Sequence, residues 1–466
     1  MEIPASLLRS LQNIKGFDEE AFKAVHESGK QVTSIRFNPN KLLYTSEASP
    51  TGGGLEGAVP WSTNGYYLSE RPSFTLDPLF HAGAYYVQEA SSMFLEEALK
   101  QTLDLSKPLR ILDLCAAPGG KSTLIQSLIS DDGLLVSNEV IKPRVNVLAE
   151  NMTKWGGANV VVTNNDPKDF QRLENYFDAI VVDAPCSGSG LFRKDPQAID
   201  EWSENNVALC SQRQQRILAD ILPSLKEGGV LIYSTCSYSE DEDEGIADWL
   251  TKDHSLSSLR LHLDSGWKIV ETISSRNSAY GYRFFPDRLR GEGFFISLFV
   301  KGGGAIGNGQ LAKGNKQSAK KKNTDSLTVK EIEVLRSYLK NADEFFFIRQ
   351  KEELIAMPGH LEDDLALIRS ALYIKKAGVK MGAIIRNELI PDHELAMSTA
   401  LAAELKRIDT DKATALQYLR REEIRLTTDL TGWALLSYLD LPLGWMKVLP
   451  NRINNYYPSN WRILNK

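Results

Sequence analysis

The sequence predicts an α/β protein: a parallel sheet with crossover helices, preceded by a small α/β domain and followed by a compact β-rich module. Three observations predict it. Between about residues 108 and 300, short apolar or β-branched runs alternate with helix-like segments, the pattern of a parallel sheet covered on both faces. At 466 residues the chain exceeds what one hydrophobic core serves, so two or three domains are expected. Residues 301–323, KGGGAIGNGQLAKGNKQSAKKKN, hold almost no apolar side chains and have the composition of a flexible linker. The expected organisation is an N-terminal α/β domain over 1–75, the sheet domain over 76–302, a linker over 303–325, an intermediate α/β domain over 326–395 and a terminal module over 396–466.

The N-terminal part mixes an amphipathic start with SIRFNPNK, a Gly-rich turn region SPTGGGLEG and then WSTNGYYLSE. Five runs read as buried strands: LRILDLC (109–115), LLVSNEV (134–140), NVVVTNND (159–166), FDAIVVDAP (177–185) and GGVLIYSTC (228–236). Between them GKSTLIQSLI, PRVNVLAENMTKW with Pro143 near its start, and VALCSQRQQRILADIL have helical periodicity, as βαβ units require. RFFPD and GEGFFISLFVK read as closing antiparallel strands. In the terminal module LAAELKRI reads as a helix and GWALLSY and LGWMKVL as strands. Its Trp433, Tyr438, Trp445, Lys447, Arg452, Tyr456, Tyr457, Trp461 and Arg462 suit either base stacking and phosphate contact or an aromatic core.

The formal net charge of -6 excludes a uniformly basic nucleic-acid coat, so any basic groove must be local. No run approaches the roughly 18 apolar residues of a membrane span, and the first twenty residues have no apolar signal core. A cytoplasmic monomer without membrane contact is expected. Four cysteines without a CxxC pair argue for reduced thiols. His81 and His360 lack matching partners, so no metal is expected.

DLCAAPGGKS (113–122) ends a strand and opens a helix, and Gly119 and Gly120 let a ligand approach the helix N-terminus closely. A phosphate loop GxxxxGK[ST] would need Gly at 115, where this chain has Cys115. ATP and GTP are therefore disfavoured, and GxGxxG is likewise missing from the turn. An adenosine-type cofactor needs a carboxylate for its ribose near the end of the second strand, where Glu139 falls. Asp166 and Asp183 end or nearly end the third and fourth strands, so three acids project toward one crevice.

Cys186, in VVDAPCSGSG, and Cys236, in IYSTCSYSEDEDE, also lie at strand C-termini. Cys210 sits inside an apolar helical pattern and reads as structural. Cys115 belongs to the cofactor loop, where packing or backbone contact is the natural role. Taken in order, YYVQEASSMF (85–94), DLCAAPGGKS (113–122), DAPCSGSG (183–190) and YSTCSYSEDEDE (233–244) resemble the Sun-type (Nop/Sun) RNA cytosine-5 methyltransferases. GEGFFISLF and the tail GWALLSYLDLPLGWMKV with NNYYP resemble most the bacterial 16S ribosomal RNA subgroup, RsmF.

The resemblance implies a Rossmann-like S-adenosylmethionine-dependent core and a PUA-like RNA-binding terminal module. It implies that Cys115, Ala116, Ala117, Pro118, Gly119, Gly120, Lys121, Glu139, Asp166 and Asp183 hold S-adenosylmethionine. Cys236 would be the nucleophile and Cys186 would assist release of RNA, with 16S ribosomal RNA or the small ribosomal subunit as partner. The chemistry is coherent: carbon 5 of cytosine is a poor nucleophile, and a thiolate adding to carbon 6 makes the ring enamine-like. Asp183 is further expected to bond the Watson–Crick edge of the base. A thiol of pKa about 8.5 needs positive potential or a proton acceptor, for which Lys121 and Arg193 are candidates. The acidic run Glu240–Glu244 reads as a solvated helix start. A DNA cytosine methyltransferase would have a Pro-Cys nucleophile without the second thiol. A tRNA substrate or a non-catalytic ribosome-assembly factor are the remaining alternatives.

Overall fold

A computed structural model describes residues 3–41, 54–302 and 327–464. The linker expected at 303–325 lies outside the described residues, as does most of the Gly-rich turn before residue 54. No described helix is long and apolar enough to cross a membrane.

Five parallel strands form the centre: Arg110–Asp113, Leu134–Asn138, Val160–Thr163, Phe177–Asp183 and Leu225–Thr235. In space they run third, second, first, fourth, fifth. The chain therefore starts mid-sheet, winds outward, then returns to the other side of its first strand. That reversal opens a crevice at the C-terminal ends of the first and fourth strands. The fifth strand pairs antiparallel with Phe294–Lys301, which pairs with Tyr280–Phe284 and, through it, Val270–Ile273.

Period-two side-chain direction explains the buried runs. Ile111, Leu135, Val160, Val162, Ala179 and Val181 enter one apolar layer, while Leu112, Leu134, Val136, Val161, Ile180 and Val182 enter the other. Local signals set the helices. Gly119, at φ 118°, precedes Gly120–Leu128, a backbone turn that L side chains rarely adopt. Pro143 lies in the first turn of Lys142–Trp155, and Ser203 caps Glu204–Ile221 by accepting from the Asn206 backbone N–H.

The flanking parts differ from expectation in three ways. Tyr85–Val87, beyond residue 75, completes the N-terminal sheet by pairing with Thr33–Phe37. Within 326–395, Phe345–Gln350, Glu353–Pro358, Val379–Ile385 and Glu388–Pro391 form a separate sheet, yet Ile374–Ala377 joins the central one antiparallel to Val160–Thr163. This pairing covers an edge that would otherwise expose a row of unpaired backbone groups. LAAELKRI is not a helix: its end forms the strand Arg407–Asp409, paired with Gly432–Tyr438. The helix begins only at Lys412, where Asp411 supplies the cap.

The aromatic set of the terminal module divides. Trp445 and Tyr457 are core residues, whereas Trp433 and the exposed Tyr456 face each other edge-on at 4.5 Å beneath Lys447. Trp445→Ala is therefore expected to destabilise the protein by about 4 kcal/mol, as deletion of a buried Trp does, and Trp433→Ala by about 1 kcal/mol or less. Urea denaturation midpoints of the two variants measure the difference; equal losses would contradict this division.

Candidate active site

Loops at the C-terminal ends of the five parallel strands build the crevice. Asn138, at the end of the second, ties three of them together. Its amide donates to Leu114 O and Asn165 O, and its side-chain oxygen accepts from Thr163 Oγ1 and the Asn165 N–H. Its own carbonyl accepts from the Ala116 N–H. Cys115 through Lys121 are thereby fixed against the second and third strands. Arg144 donates to Ala117 O at 2.7 Å and Asn151 to Pro118 O at 2.7 Å. The Cys115 thiol is pushed up by burial first, and by the neighbouring acids Asp113, Asp183 and Glu139.

Glu139 is buried, accepts from the Ile141 N–H at 2.8 Å and stands 3.4 Å from Arg144. Asp166 caps the turn Pro167–Arg172 and lies 3.8 Å from Arg216. Asp183 joins Lys121 Nζ at 2.7 Å through one oxygen and accepts from Ser234 Oγ at 2.9 Å through the other. Asp113, which the sequence reading passed over, belongs with them. It is fully buried, takes Ser122 Oγ at 2.6 Å on one oxygen, and its other oxygen has no hydrogen-bond partner among the described residues. Burial pushes its carboxyl up to about 7, opposed by Ser122 and Lys121 and assisted by Asp183 and Glu139. It is a fourth strand-end acid, and counting strand ends could have found it.

Cys186 and Cys236 are both free thiols, and their sulfurs lie 3.0 Å apart. Parallel pairing of the fourth and fifth strands sets Asp183 opposite Ser234, so the two following loops leave the sheet side by side. The Cys236 carbonyl accepts from the Gly190 N–H at 2.8 Å, and Ser189 Oγ accepts from the Tyr238 N–H at 2.9 Å. Any Cβ at Gly190 would stand 2.7 Å from the Cys236 carbonyl oxygen and 2.5 Å from that of Gly293, so only glycine fits. The Cys186 thiol is pushed well up, first by its hydrogen bond to Cys236, then by burial and by the charges of Cys236 and Glu242.

Two expectations are corrected. Arg193 is not aimed at the thiols: its guanidinium donates to the carbonyls of Lys30 and Gly291 and stands 3.7 Å from Glu292. Nor is the acidic run a solvated cap. Glu240 and Asp241 are exposed, but Glu242, Asp243 and Glu244 are buried. The buried Arg283 answers the last two, contacting Asp243 at 3.1 Å, Glu244 in a two-pronged pair, and the Tyr238 carbonyl at 2.9 Å. The Asp243 carboxylate also accepts from Thr235 Oγ1 at 2.7 Å. The run carries the loop behind Cys236, because acids already paired with a buried guanidinium need no solvent.

Comparison with known proteins identifies this architecture. The family described as 16S rRNA methyltransferase RsmB/F matches residues 100–300. The N-terminal domain of 16S rRNA methyltransferase RsmF matches 3–90, and the methyltransferase RsmF PUA domain matches 405–463. The ribosomal RNA small subunit methyltransferase F of Shewanella woodyi is 31% identical over 443 residues, 91% of this chain and 89% of that one. The chain belongs to the RsmF family. The namesake protein of Shewanella loihica is 29% identical over 445 residues, covering 92% of this chain and 88% of its own. Among solved structures, a methyltransferase homolog from Pyrococcus horikoshii superposes with a TM-score of 0.52 at 27% identity, over 64% of this chain and all of its own. NSun6 from the same organism, at 19% identity and a TM-score of 0.53 over 66% of this chain and 99% of its own, shares the fold.

The cofactor of this RsmF-family chain is S-adenosylmethionine, and the crevice fits it. Asp183 and Glu139 sit close enough to act on the Asp113 carboxyl, with Lys121 and Arg144 beside them. A sulfonium cation relieves that like-charge crowding, and the orphan oxygen of Asp113 shows a site that burial alone leaves unsatisfied.

Arg283→Ala strands two buried carboxylates and is expected to cost about 3–5 kcal/mol, read as a lowered urea midpoint. A midpoint equal to that of the parent protein would contradict the role given to this ion cluster.

Proposed function

We propose that this chain methylates carbon 5 of a cytosine in 16S ribosomal RNA, with Cys236 forming a covalent bond to carbon 6 and Cys186 assisting release. The observation that carries this reading is the 3.0 Å contact between two free thiols at adjacent strand ends beside the acidic crevice. When bound, S-adenosylmethionine supplies an electrophilic methyl group. Residues 115–121, Glu139, Asp166 and Asp183 hold it, with Asp113 contributing charge from beneath. The target base leaves any helix to enter, at a cost of a few kcal/mol.

Each protein group then has one task. Cys236 Sγ adds to carbon 6, which makes carbon 5 electron-rich enough to accept a methyl group. Asp183 already serves Lys121 and Ser234, but a carboxylate has about four lone-pair positions, leaving capacity for the cytosine amino group. At rest the two thiols share a hydrogen bond, and that bond together with burial holds the proton of Cys186. Once Cys236 carries the base, that hydrogen bond and the Cys236 charge are gone. The Cys186 thiol then ionises more readily, releasing its proton to solvent, and the resulting thiolate takes the proton that leaves carbon 5 as the Cys236–carbon bond breaks, returning that bond's electrons to the Cys236 sulfur.

Cys236→Ala is expected to abolish methylation while leaving cofactor affinity intact, and retained turnover would remove it as nucleophile. Cys186→Ala should accumulate a covalent protein–RNA complex, seen as a slowly migrating band on a denaturing gel; normal release without the band would sink its role. Bisulfite sequencing of total RNA from cells lacking the gene identifies the substrate, with loss of a 16S site expected and loss confined to tRNA contradicting it.

The Asp113 carboxyl, at about 7, is neutral below that pH and charged above it. Affinity for the sulfonium cofactor should therefore rise from about pH 6 to about pH 8, and the rise should vanish in Asp113→Asn. Calorimetric titration across that range checks this, and a flat profile in the parent protein would contradict it.

A further inference from the structure

Ser187 follows Cys186 and Ser237 follows Cys236, and one buried carboxylate holds both serines. Glu242 accepts the Ser187 N–H at 2.8 Å and Gln214 Nε2 at 3.1 Å on one oxygen. Its other oxygen accepts Ser187 Oγ at 2.5 Å and Ser237 Oγ at 2.7 Å. The two hydroxyls are themselves 3.4 Å apart. The Glu242 backbone is held as firmly, its carbonyl accepting from Tyr233 OH at 2.6 Å, and the same hydroxyl reaches Gln214 Oε1 at 3.0 Å. Gln214 in turn donates to Pro185 O, the residue before Cys186.

We infer that Glu242 is the positioning residue that holds the two thiols as one unit, by gripping the residue behind each of them. The inference rests on the two-thiol mechanism proposed above and names what enforces it. Burial pushes the Glu242 carboxyl up, opposed by the four donors that converge on it, as suits an ionised acceptor, and the buried Arg283, on the strand Tyr280–Phe284, is committed to Asp243 and Glu244. Stranding a negative charge here is costly, and four hydrogen bonds offset that cost only while both cysteine loops stay in place. Closure of the thiol pair and satisfaction of Glu242 are one event. The charge also has a chemical effect, since it helps keep the Cys186 proton on sulfur.

The test uses the full-length protein with Glu242→Gln and Glu242→Ala. Gln keeps the shape and still pairs with the two hydroxyls, which donate or accept, but it removes the charge and sets an N–H donor against donors. The first readout is the pH profile of iodoacetamide alkylation, followed at each cysteine by mass spectrometry, in resting protein without RNA or cofactor. Removing a negative charge lowers a neighbouring thiol's pKa, so Cys186 alkylation should begin about one pH unit lower in Glu242→Gln. The second readout is the rate at which the covalent RNA adduct resolves in single turnover, expected to fall about 100-fold in Glu242→Ala, as for other displaced reacting groups, with cofactor affinity unchanged. If Glu242→Ala does not fold, Glu242→Asp, which keeps the charge but draws the carboxylate back from the two serines, stands in its place, with adduct resolution again slowed. Either readout at its wild-type value in both variants overturns the inference. Because alkylation of the resting protein needs no turnover, failure here is separable from failure of the proposed reaction, which the single-cysteine variants decide.

Discussion

The register between the fourth and fifth parallel strands is the constraint on which the rest depends. Asp183 lies opposite Ser234 across that ladder. Three residues after one and two after the other, the chain reaches Cys186 and Cys236. A slip by one residue would send each side chain to the opposite face of the sheet and separate the sulfurs. The antiparallel strand Phe294–Lys301 locks the fifth strand from its far side, and Gly293 N–H donates to the Gly190 carbonyl, so the closing strands also brace the first cysteine loop. What sequence alone shows as closing strands serves to fix the active site.

Charge burial is the second theme. Asp113, Glu139, Glu242, Asp243 and Glu244 are all withdrawn from water, an arrangement that costs several kcal/mol per ion unless each is answered. Three answers are used: a buried guanidinium for Asp243 and Glu244, converging hydrogen bonds for Glu242, and lysine and arginine beside the crevice acids. Asp113 is incompletely answered, one oxygen being without a hydrogen-bond partner among the described residues. The thiols sit beside both the crevice acids and the Glu242 network, and the Glu242 charge helps hold the Cys186 proton.

The parallel sheet, its strand-end acids and both thiols were legible because they rest on short-range pattern: apolar runs, turn glycines and residues at strand ends. Less legible was everything that depends on long-range pairing. Nothing local to Ile374–Ala377 says that it will border Val160–Thr163, some two hundred residues earlier. The acidic run reads as solvated because its partner Arg283 is forty residues away, within a segment whose own pattern speaks only of a strand. Arg193 failed as a thiol activator for the same reason, since its acceptors come from Lys30 and Gly291. The aromatic residues of the terminal module could be sorted into core and surface only once Trp445 was seen buried and Tyr456 exposed.

The proposed reaction requires that Cys236, and not its neighbour 3.0 Å away, make the bond to RNA. Peptide mass mapping of nuclease-trimmed protein–RNA adduct tests this most directly, because it locates the residue that carries the nucleotide. A cytidine-derived mass is expected on the peptide containing Cys236. The same mass on the Cys186 peptide would contradict it.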